Sequence, residues 1–218
     1  MVSRGICGQR GFSEFSLVNK LTGNSSMVAV NPANPSYRPL CVEKMNQPIL
    51  KTNRLLLRPF QHNDKSAIQK LAGNKKVSDT TLTIPHPYTL NMAEEWLSTH
   101  EHDWLNKSRV TYAIARKKDN ELLGSISLVE INCSIAKLGY WIGEPYWGNG
   151  YCTEALNAIL TFAFNEIGLE KIVAEHLSSN PASGRVMQKN EMQHINSAEM
   201  LDRNKELAKV EIYEITAT

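Results

Sequence analysis

Gly143-Glu144-Pro145-Tyr146-Trp147-Gly148-Asn149-Gly150-Tyr151-Cys152-Thr153-Glu154-Ala155-Leu156 is the stretch on which the reading of the chain turns. An apolar run (Leu138, Tyr140, Trp141, Ile142) ends just before it, and an amphipathic pattern begins just after it. The order is therefore strand, turn, glycine loop, helix. Two glycines with one residue between them let the backbone turn tightly and expose its N–H groups. The helix behind them aims its positive end and its unpaired N–H groups at the same loop. Together these features make a cradle for a phosphate or pyrophosphate.

Downstream, Ala155, Leu156, Ile159, Leu160, Ala163 and Ile167 recur at helical spacing until Gly168. Residues 171–176 read as a strand, Asn180-Pro181-Ala182-Ser183 opens a short helix through Val186 and Met187, and strands are expected around 198–201 and 210–215. Upstream, residues 109–116 alternate (Val110, Tyr112, Ile114) and 122–131 form a second strand, an antiparallel hairpin about the polar turn 117–120. Residues 137–143 are a third strand. The folded part opens with a short strand at 55–60, ended or placed at an edge by Pro59. Asn63 and Asp64 can cap a helix covering Ile68 and Leu71 and stopping at Gly73. After a loop marked by Pro85 and Pro87, Asn91 with Glu94 forms a capping-box pattern ahead of one helix lined by Met92, Trp96, Leu97, His100 and Trp104. A strand run followed by strand, loop, helix and strand predicts an α+β fold with a mixed sheet.

The 218 residues suit one domain with an extension, and 42% hydrophobic and 21% charged content are ordinary for a soluble globular chain. A net charge of +2 gives no argument for nucleic acid or a membrane surface, and no apolar stretch is long enough to span a bilayer. Cys7, Cys41, Cys133 and Cys152 are widely spaced with no Cys-x-x-Cys pair, which points to free thiols in a reducing cytoplasm. His100 and His102 would not share a helix face, so no metal site is expected there.

Residues 1–48 hold frequent Gly, Ser, Asn and Pro without a persistent period, and read as a disordered or loosely attached extension outside a domain at 49–218. Their basic, acid-poor composition also admits a transit peptide. A native start at Met45 is a third reading.

A Walker loop requires Gly-Lys-Ser/Thr, and Cys152-Thr153-Glu154 supplies no lysine. A Rossmann loop requires a third glycine where Thr153 stands. The stretch from Tyr140 to Ala155 instead resembles the acetyl-coenzyme A signature of the GNAT N-acetyltransferases, and more narrowly the RimJ/RimL-like subgroup. Four further segments agree in order: Thr52-x-Arg54-Leu55-x-Leu57-Arg58, Leu123-Gly124-Ser125-Ile126, Asn180-x-x-Ser183-x-Arg185-Val186-Met187-x-Lys189, and Tyr213. The resemblance implies a central mixed, mostly antiparallel twisted sheet, flanked by helices and splayed at the coenzyme strand.

It also implies roles. The pyrophosphate of acetyl-coenzyme A, a cosubstrate used without a metal, would rest on Trp147, Gly148, Asn149, Gly150, Tyr151, Cys152 and Thr153. Its pantetheine arm would lie along Tyr140, Trp141 and Ile142, with Asn180 and Ser183 also in contact. The backbone N–H of Ile142 would hold the developing oxyanion. A base must take the amine's proton, and Glu130 and Glu144 are the candidates; each also reads as an ordinary solvated carboxylate. Met187 stands where many members have a tyrosine that reprotonates the leaving thiolate, so Ser183 is the candidate acid, or else only a helix cap. Lys189-Asn190-Glu191-Met192 replaces a usual Lys-Leu-Gly-Phe, which suggests a rearranged end of the domain or an altered acceptor site. The acceptor would be a primary amine, either a protein N-terminus such as that of a ribosomal protein or a small polyamine or aminoglycoside. The alternative is an acyl-coenzyme A-binding module with little or no turnover. No nucleic-acid or membrane partner is expected, and the chain would act as a monomer or homodimer.

Overall fold

Alternating side chains along three consecutive strands lay down the centre of the sheet. In the structure, a computed structural model that describes residues 46–217, these are β3 (Val110–Arg116), β4 (Leu122–Asn132) and β5 (Ile135–Ile142). Before them come β1 (Leu50–Lys51), β2 (Leu55–Arg58) and four short helices: α1 (Lys65–Ala72), α2 (Lys75–Asp79), α3 (Leu90–Ser98) and α4 (His100–Leu105). After them come α5 (Tyr151–Phe162), β6 (Lys171–Leu177), α6 (Pro181–Gln188), β7 (Gln193–Leu201) and β8 (Leu207–Thr216). The eight strands form one sheet in the order β1-β2-β3-β4-β5-β6-β8-β7. Only β5 and β6 run parallel. The mixed, mostly antiparallel α+β architecture is the one expected.

One face of the sheet packs under α5. Tyr112, Ile114, Ile126, Leu128, Leu138 and Ile172 meet Ala155, Leu156, Ile159 and Leu160 in the main core, each large aliphatic group contributing about 1.5–3 kcal/mol over exposure. Past α5 the helix widens into a π turn, Ala163–Ile167, and stops at Gly168, which takes the left-handed conformation at φ 80°. The other face carries a smaller cluster, in which Ile68, Leu71 and Ala93 pack on Ala113 and Leu122, with Trp96 and Trp141 at its margin.

Several local expectations are corrected. Asp64 does not cap α1 with its side chain; its carboxylate takes a two-pronged bond from buried Arg58 (2.8 and 2.9 Å) and the N–H of Gln61 (2.7 Å). The cap of α3 is Thr89, whose Oγ1 accepts from Met92 N–H (3.3 Å), not Asn91. The single helix expected through Trp104 breaks at Thr99 into α3 and α4. There Ser98 and Thr99 hydroxyls donate back to the carbonyls of Glu95 and Trp96, the local competition that weakens a helix interior. β7 begins five residues earlier than its apolar pattern suggested, because it is an edge strand whose side chains are mostly exposed.

The extension expected over residues 1–48 lies outside the described residues up to 45. Of its last three residues, Gln47 donates from Nε2 to the Thr111 carbonyl (2.9 Å), and β1 pairs with β2 immediately afterwards. Among the described residues, no helix is long and apolar enough to cross a membrane.

Candidate active site

The sheet comes apart at one place. β5 and β6 pair from Ile135↔Lys171 to Leu138↔Ala174 and no further. β5 continues on its other side against β4 as far as Ile142↔Gly124, and β6 continues against β8 as far as Leu177↔Val210. Residues 139–142 and 175–177 therefore diverge and leave a slot whose facing edges have no strand partner. Gly143 N–H donates to the Leu123 carbonyl (2.8 Å), toward β4. Since backbone directions alternate along a strand, the Ile142 N–H and carbonyl point the other way, into the slot. The carbonyl is taken by Trp147 Nε1 (2.6 Å), which leaves the N–H facing the gap.

The glycine loop closes the end of that slot. Gly148 and Gly150 both hold left-handed backbone, at φ 75° and 76°, which costs an ordinary L-residue roughly 1–2 kcal/mol. No atom lies within 4 Å of where a Cβ would project from Gly148. Tyr151, Cys152 and Thr153 form the first turn of α5, with Gly150 as its N-cap. The loop is held from behind by residues about a hundred positions upstream. Arg54 donates from Nη1 to the Asn149 carbonyl (3.0 Å) and from Nε to Glu154 (2.7 Å), with its guanidinium 4.8 Å over the Tyr151 ring. Glu154 also accepts from the Thr52 hydroxyl (2.6 Å) and Arg54 N–H (2.8 Å). Burial pushes the Glu154 carboxyl up, but these bonds outweigh it and hold it below its ordinary range. Cys152 is half-buried against the main core, and desolvation pushes its thiol up to about 12, which keeps it a neutral thiol rather than a ready nucleophile.

A cavity of about 1060 Å³ runs from this loop through the slot to the opposite face of the sheet. Its floor is polar: Ser125, Ser127, Glu130, Lys137 and Glu175. Its wall is apolar and aromatic, from Ile84, Tyr88, Met92 and Trp96. Tyr140, Trp141, Ile142, Trp147, Gly148, Gly150, Tyr151, Cys152, Thr153, Asn180 and Ser183 line it as well, so nearly every residue singled out from sequence converges there. Asn149 instead folds back on its own loop, its amide donating to the Tyr146 and Trp147 carbonyls.

Ser183 is not the cap of α6. Asn180 is, its Oδ1 accepting from Ser183 N–H (3.4 Å), while its Nδ2 donates to the Thr80 carbonyl (3.1 Å). The Ser183 hydroxyl sits 2.8 Å from the Tyr140 hydroxyl, and either can donate. Burial raises the Tyr140 phenol above its ordinary range, Cys152 adding to the effect and the Ser183 bond opposing it. The two groups form a neutral, hydrogen-bonded hydroxyl pair.

The candidate carboxylates are both engaged. Glu144 accepts from Asn74 Nδ2 (2.8 Å) and pairs with Lys76, and those bonds lower its carboxyl below the usual range. Glu130 pairs with Lys137 at 2.9 Å. Glu175, which the sequence did not single out, is the first residue of β6 beyond the last β5 pair, and it lines the cavity. Only the strand register exposes it. Arg54 and Thr52 were likewise visible as part of a pattern but not as supports of the loop.

The segment Lys189–Met192 does make its turn. Glu191 takes the left-handed conformation (φ 64°) that the usual glycine would hold, and Met192 is buried at 2% exposure, filling the core position. Asn190 is buried too and ties α6 to α5, donating to the Val186 (2.9 Å) and Thr153 (3.3 Å) carbonyls. The rearrangement expected here is absent. Met187 is buried in the main core.

The sequence matches the acetyltransferase (GNAT) domain family over residues 54–193. Among curated relatives it is 28% identical to an uncharacterized N-acetyltransferase, YoaA, of Bacillus subtilis strain 168, over 65% of this chain and 81% of that one. Among solved structures, the fold is shared with RimL, a ribosomal L7/L12 α-N-protein acetyltransferase bound to coenzyme A, at TM-score 0.70, 18% identity and coverage of 78% and 98%. It is shared equally with spermidine N-acetyltransferase from Vibrio cholerae bound to coenzyme A and spermine, at TM-score 0.66, 21% identity and coverage of 76% and 96%. The forked strands, the left-handed glycines at the head of α5 and the family match over residues 54–193 lead to one conclusion: the chain belongs to the GNAT acetyltransferase family and is an acetyl-coenzyme A-dependent N-acetyltransferase.

Proposed function

We propose that the chain transfers an acetyl group directly to the amine of a protein N-terminus, in the manner of the RimJ/RimL-like subgroup, within the cytoplasm. The observation that carries the site assignment is the parting of β5 from β6 after Leu138 and Ala174, with the glycine loop at the end of the gap. An extended pantetheine arm fits that gap as a surrogate strand, and a pyrophosphate fits the open space over Gly148. Acetyl-coenzyme A supplies a thioester, an activated acyl group with a thiolate leaving group.

The residues of the chain divide the remaining work. The N–H groups from 148 to 153 hold the pyrophosphate at the positive end of α5. Ile142 N–H, aimed into the slot, stabilises charge on the thioester oxygen as the tetrahedral centre forms. Glu175, at the fork, takes the proton of the attacking amine directly or through one water. Ser183 returns a proton to the departing sulfur, and Tyr140 relays a proton to Ser183 while taking one up from water in the cavity, so neither hydroxyl is left ionised. Glu130 serves as the partner of Lys137, and Glu144 as an anchor of α2. The apolar and aromatic wall of Ile84, Tyr88, Met92 and Trp96 suits the first side chains of a peptide, and Glu95 lines the cavity beside them. A small polyamine is the second reading, favoured by the same carboxylates.

The test is thiol release and mass-spectrometric acetylation over a panel of N-terminal peptides, polyamines and aminoglycosides. Acetylation of peptide α-amines supports the proposal. Acetylation of polyamines alone transfers support to the second reading, and acetyl-coenzyme A binding without turnover on any amine contradicts both. Glu175→Gln should lower kcat about 10²–10⁴-fold, the range for loss of a general base, and an unaltered rate removes Glu175 from that role.

A further inference from the structure

The segment from Asn74 to Thr81, which is the cap of α2, the helix itself and the start of the following loop, is tied down at three separate places. Asn74 and Lys76 bind the Glu144 carboxylate, which follows β5. The Thr80 carbonyl accepts from Asn180, which follows β6. Arg203, in the turn between β7 and β8, donates from Nη1 to the carbonyls of Ser78 (2.8 Å) and Thr81 (3.0 Å) and from Nη2 to Asp79 Oδ1 (3.2 Å). β5 and β6 are the two strands that part, so this segment bridges the mouth of the slot. Its continuation, residues 80–85, lines the cavity.

The Arg203 contact is built from both sides. Its turn is rigid: the Asp202 carboxylate accepts the N–H groups of Asn204 (2.8 Å) and Glu206 (3.0 Å), and Asp202 N–H donates to the Glu206 carbonyl (2.8 Å). On the other side Ser78 is fully buried, and its hydroxyl donates to the Ile84 carbonyl (2.8 Å), so a hold on Ser78 extends to the far end of the loop. The Arg203 side chain is only 16% exposed. The exposed Asp79 partner contributes little; the two charge-assisted bonds to carbonyls dominate. Nη1 serves both carbonyls while Nη2 reaches Asp79, an arrangement that the planar guanidinium holds in one geometry and a flexible lysine ammonium holds less firmly.

We infer that Arg203 is a positioning residue for the acetyl-transfer reaction: it clamps residues 78–85 across the forked strands, so that amine and thioester meet in a space closed to bulk water. This rests on the acetyltransferase reading of the cavity. Arg203 itself does not line the cavity.

The test compares wild type, Arg203→Ala and Arg203→Lys, each as the full chain, by hydrogen exchange and by acetyl-coenzyme A titration and hydrolysis without an amine. In the alanine variant, exchange at residues 78–85 should rise about tenfold or more while the strands β3–β5 stay unchanged. Acceptor-free hydrolysis should rise about threefold or more as water enters, while acetyl-coenzyme A affinity stays within about twofold because the glycine loop is untouched. Lysine should fall between. Unchanged exchange at 78–85 overturns the clamp, as does faster exchange throughout the molecule with a parallel loss of coenzyme affinity. If the alanine variant does not fold, the lysine variant carries the same two outcomes. A wild-type chain that binds acetyl-coenzyme A but acetylates no amine would count against the proposed function and leave the exchange result standing.

Discussion

Glu191→Gly tests whether the unusual turn after α6 is a strained substitute for a glycine turn. Glu191 holds φ 64° with its side chain exposed, and a left-handed conformation costs an L-residue roughly 1–2 kcal/mol. Glycine removes that strain but loses more chain entropy on folding, returning roughly 0.5–1 kcal/mol. The difference is a net gain of about 0.5–1 kcal/mol, which for a domain of this size raises Tm by about 1–4 °C. The neighbours support a clean reading: Glu191 N–H donates to the Gln188 carbonyl (3.0 Å), and Met192 N–H to the Met187 carbonyl (3.2 Å), bonds that glycine preserves. Calorimetry on wild type, Glu191→Gly and Glu191→Ala decides it. Alanine keeps a Cβ and should show no gain. A glycine variant that melts at or below the wild-type temperature would refute the strain, and an alanine variant as stabilised as glycine would assign the gain to the lost charge.

His100 lies among Phe60 and Trp96 with both ring nitrogens buried and unpartnered. Burial lowers its pKa to about 4 from an ordinary 6.5, the Asp103 charge opposing and Arg109 adding. The folded chain therefore excludes a proton that the unfolded chain accepts between these values. Stability is intact above pH 6.5 and falls as pH drops toward 4, by up to about 3 kcal/mol. In denaturant melts of wild type and His100→Phe across this window, the wild type should lose stability relative to the variant as pH falls; parallel curves would rule His100 out. At the hydroxyl pair, Ser183→Ala should lower kcat about 10–100-fold with little change in the KM for acetyl-coenzyme A, and a KM effect alone would make Ser183 a binding residue only.

Much of the site was legible because it depends on local order. Gly148 and Gly150 take positive φ where a loop had to turn, and the pattern from Ala155 to Ala163 buries the face its spacing implies. What the sequence hid depends on register or on distant chain. Glu175 acquires its place only because pairing stops at Ala174. Arg54 and Thr52 brace a loop a hundred residues away, and Arg203 reaches α2 from 124 residues downstream. The break at Thr99 followed from side-chain hydroxyls competing for carbonyls, a weak local effect that an apolar stripe masks. Lys189–Met192 reads as a rearranged end of the domain or an altered acceptor site because its residue types are unusual, yet Met192 fills the core and Glu191 holds the turn.

The central claim is that the loop from Trp147 to Thr153 holds the pyrophosphate of acetyl-coenzyme A, and one measurement addresses it directly. Acetyl-coenzyme A is titrated calorimetrically into wild type, Gly150→Asn and Gly150→Glu, with folding of each checked by circular dichroism. Asparagine tolerates the left-handed backbone at φ 76° and should keep affinity within about tenfold. Glutamate adds a negative charge at the head of α5 from a Cβ position 3.5 Å from Arg54 Nη2, where it opposes the phosphate charge and competes for the arginine that braces the loop, and it should weaken binding about 100-fold or more. Wild-type affinity in a folded Gly150→Glu variant would contradict the account.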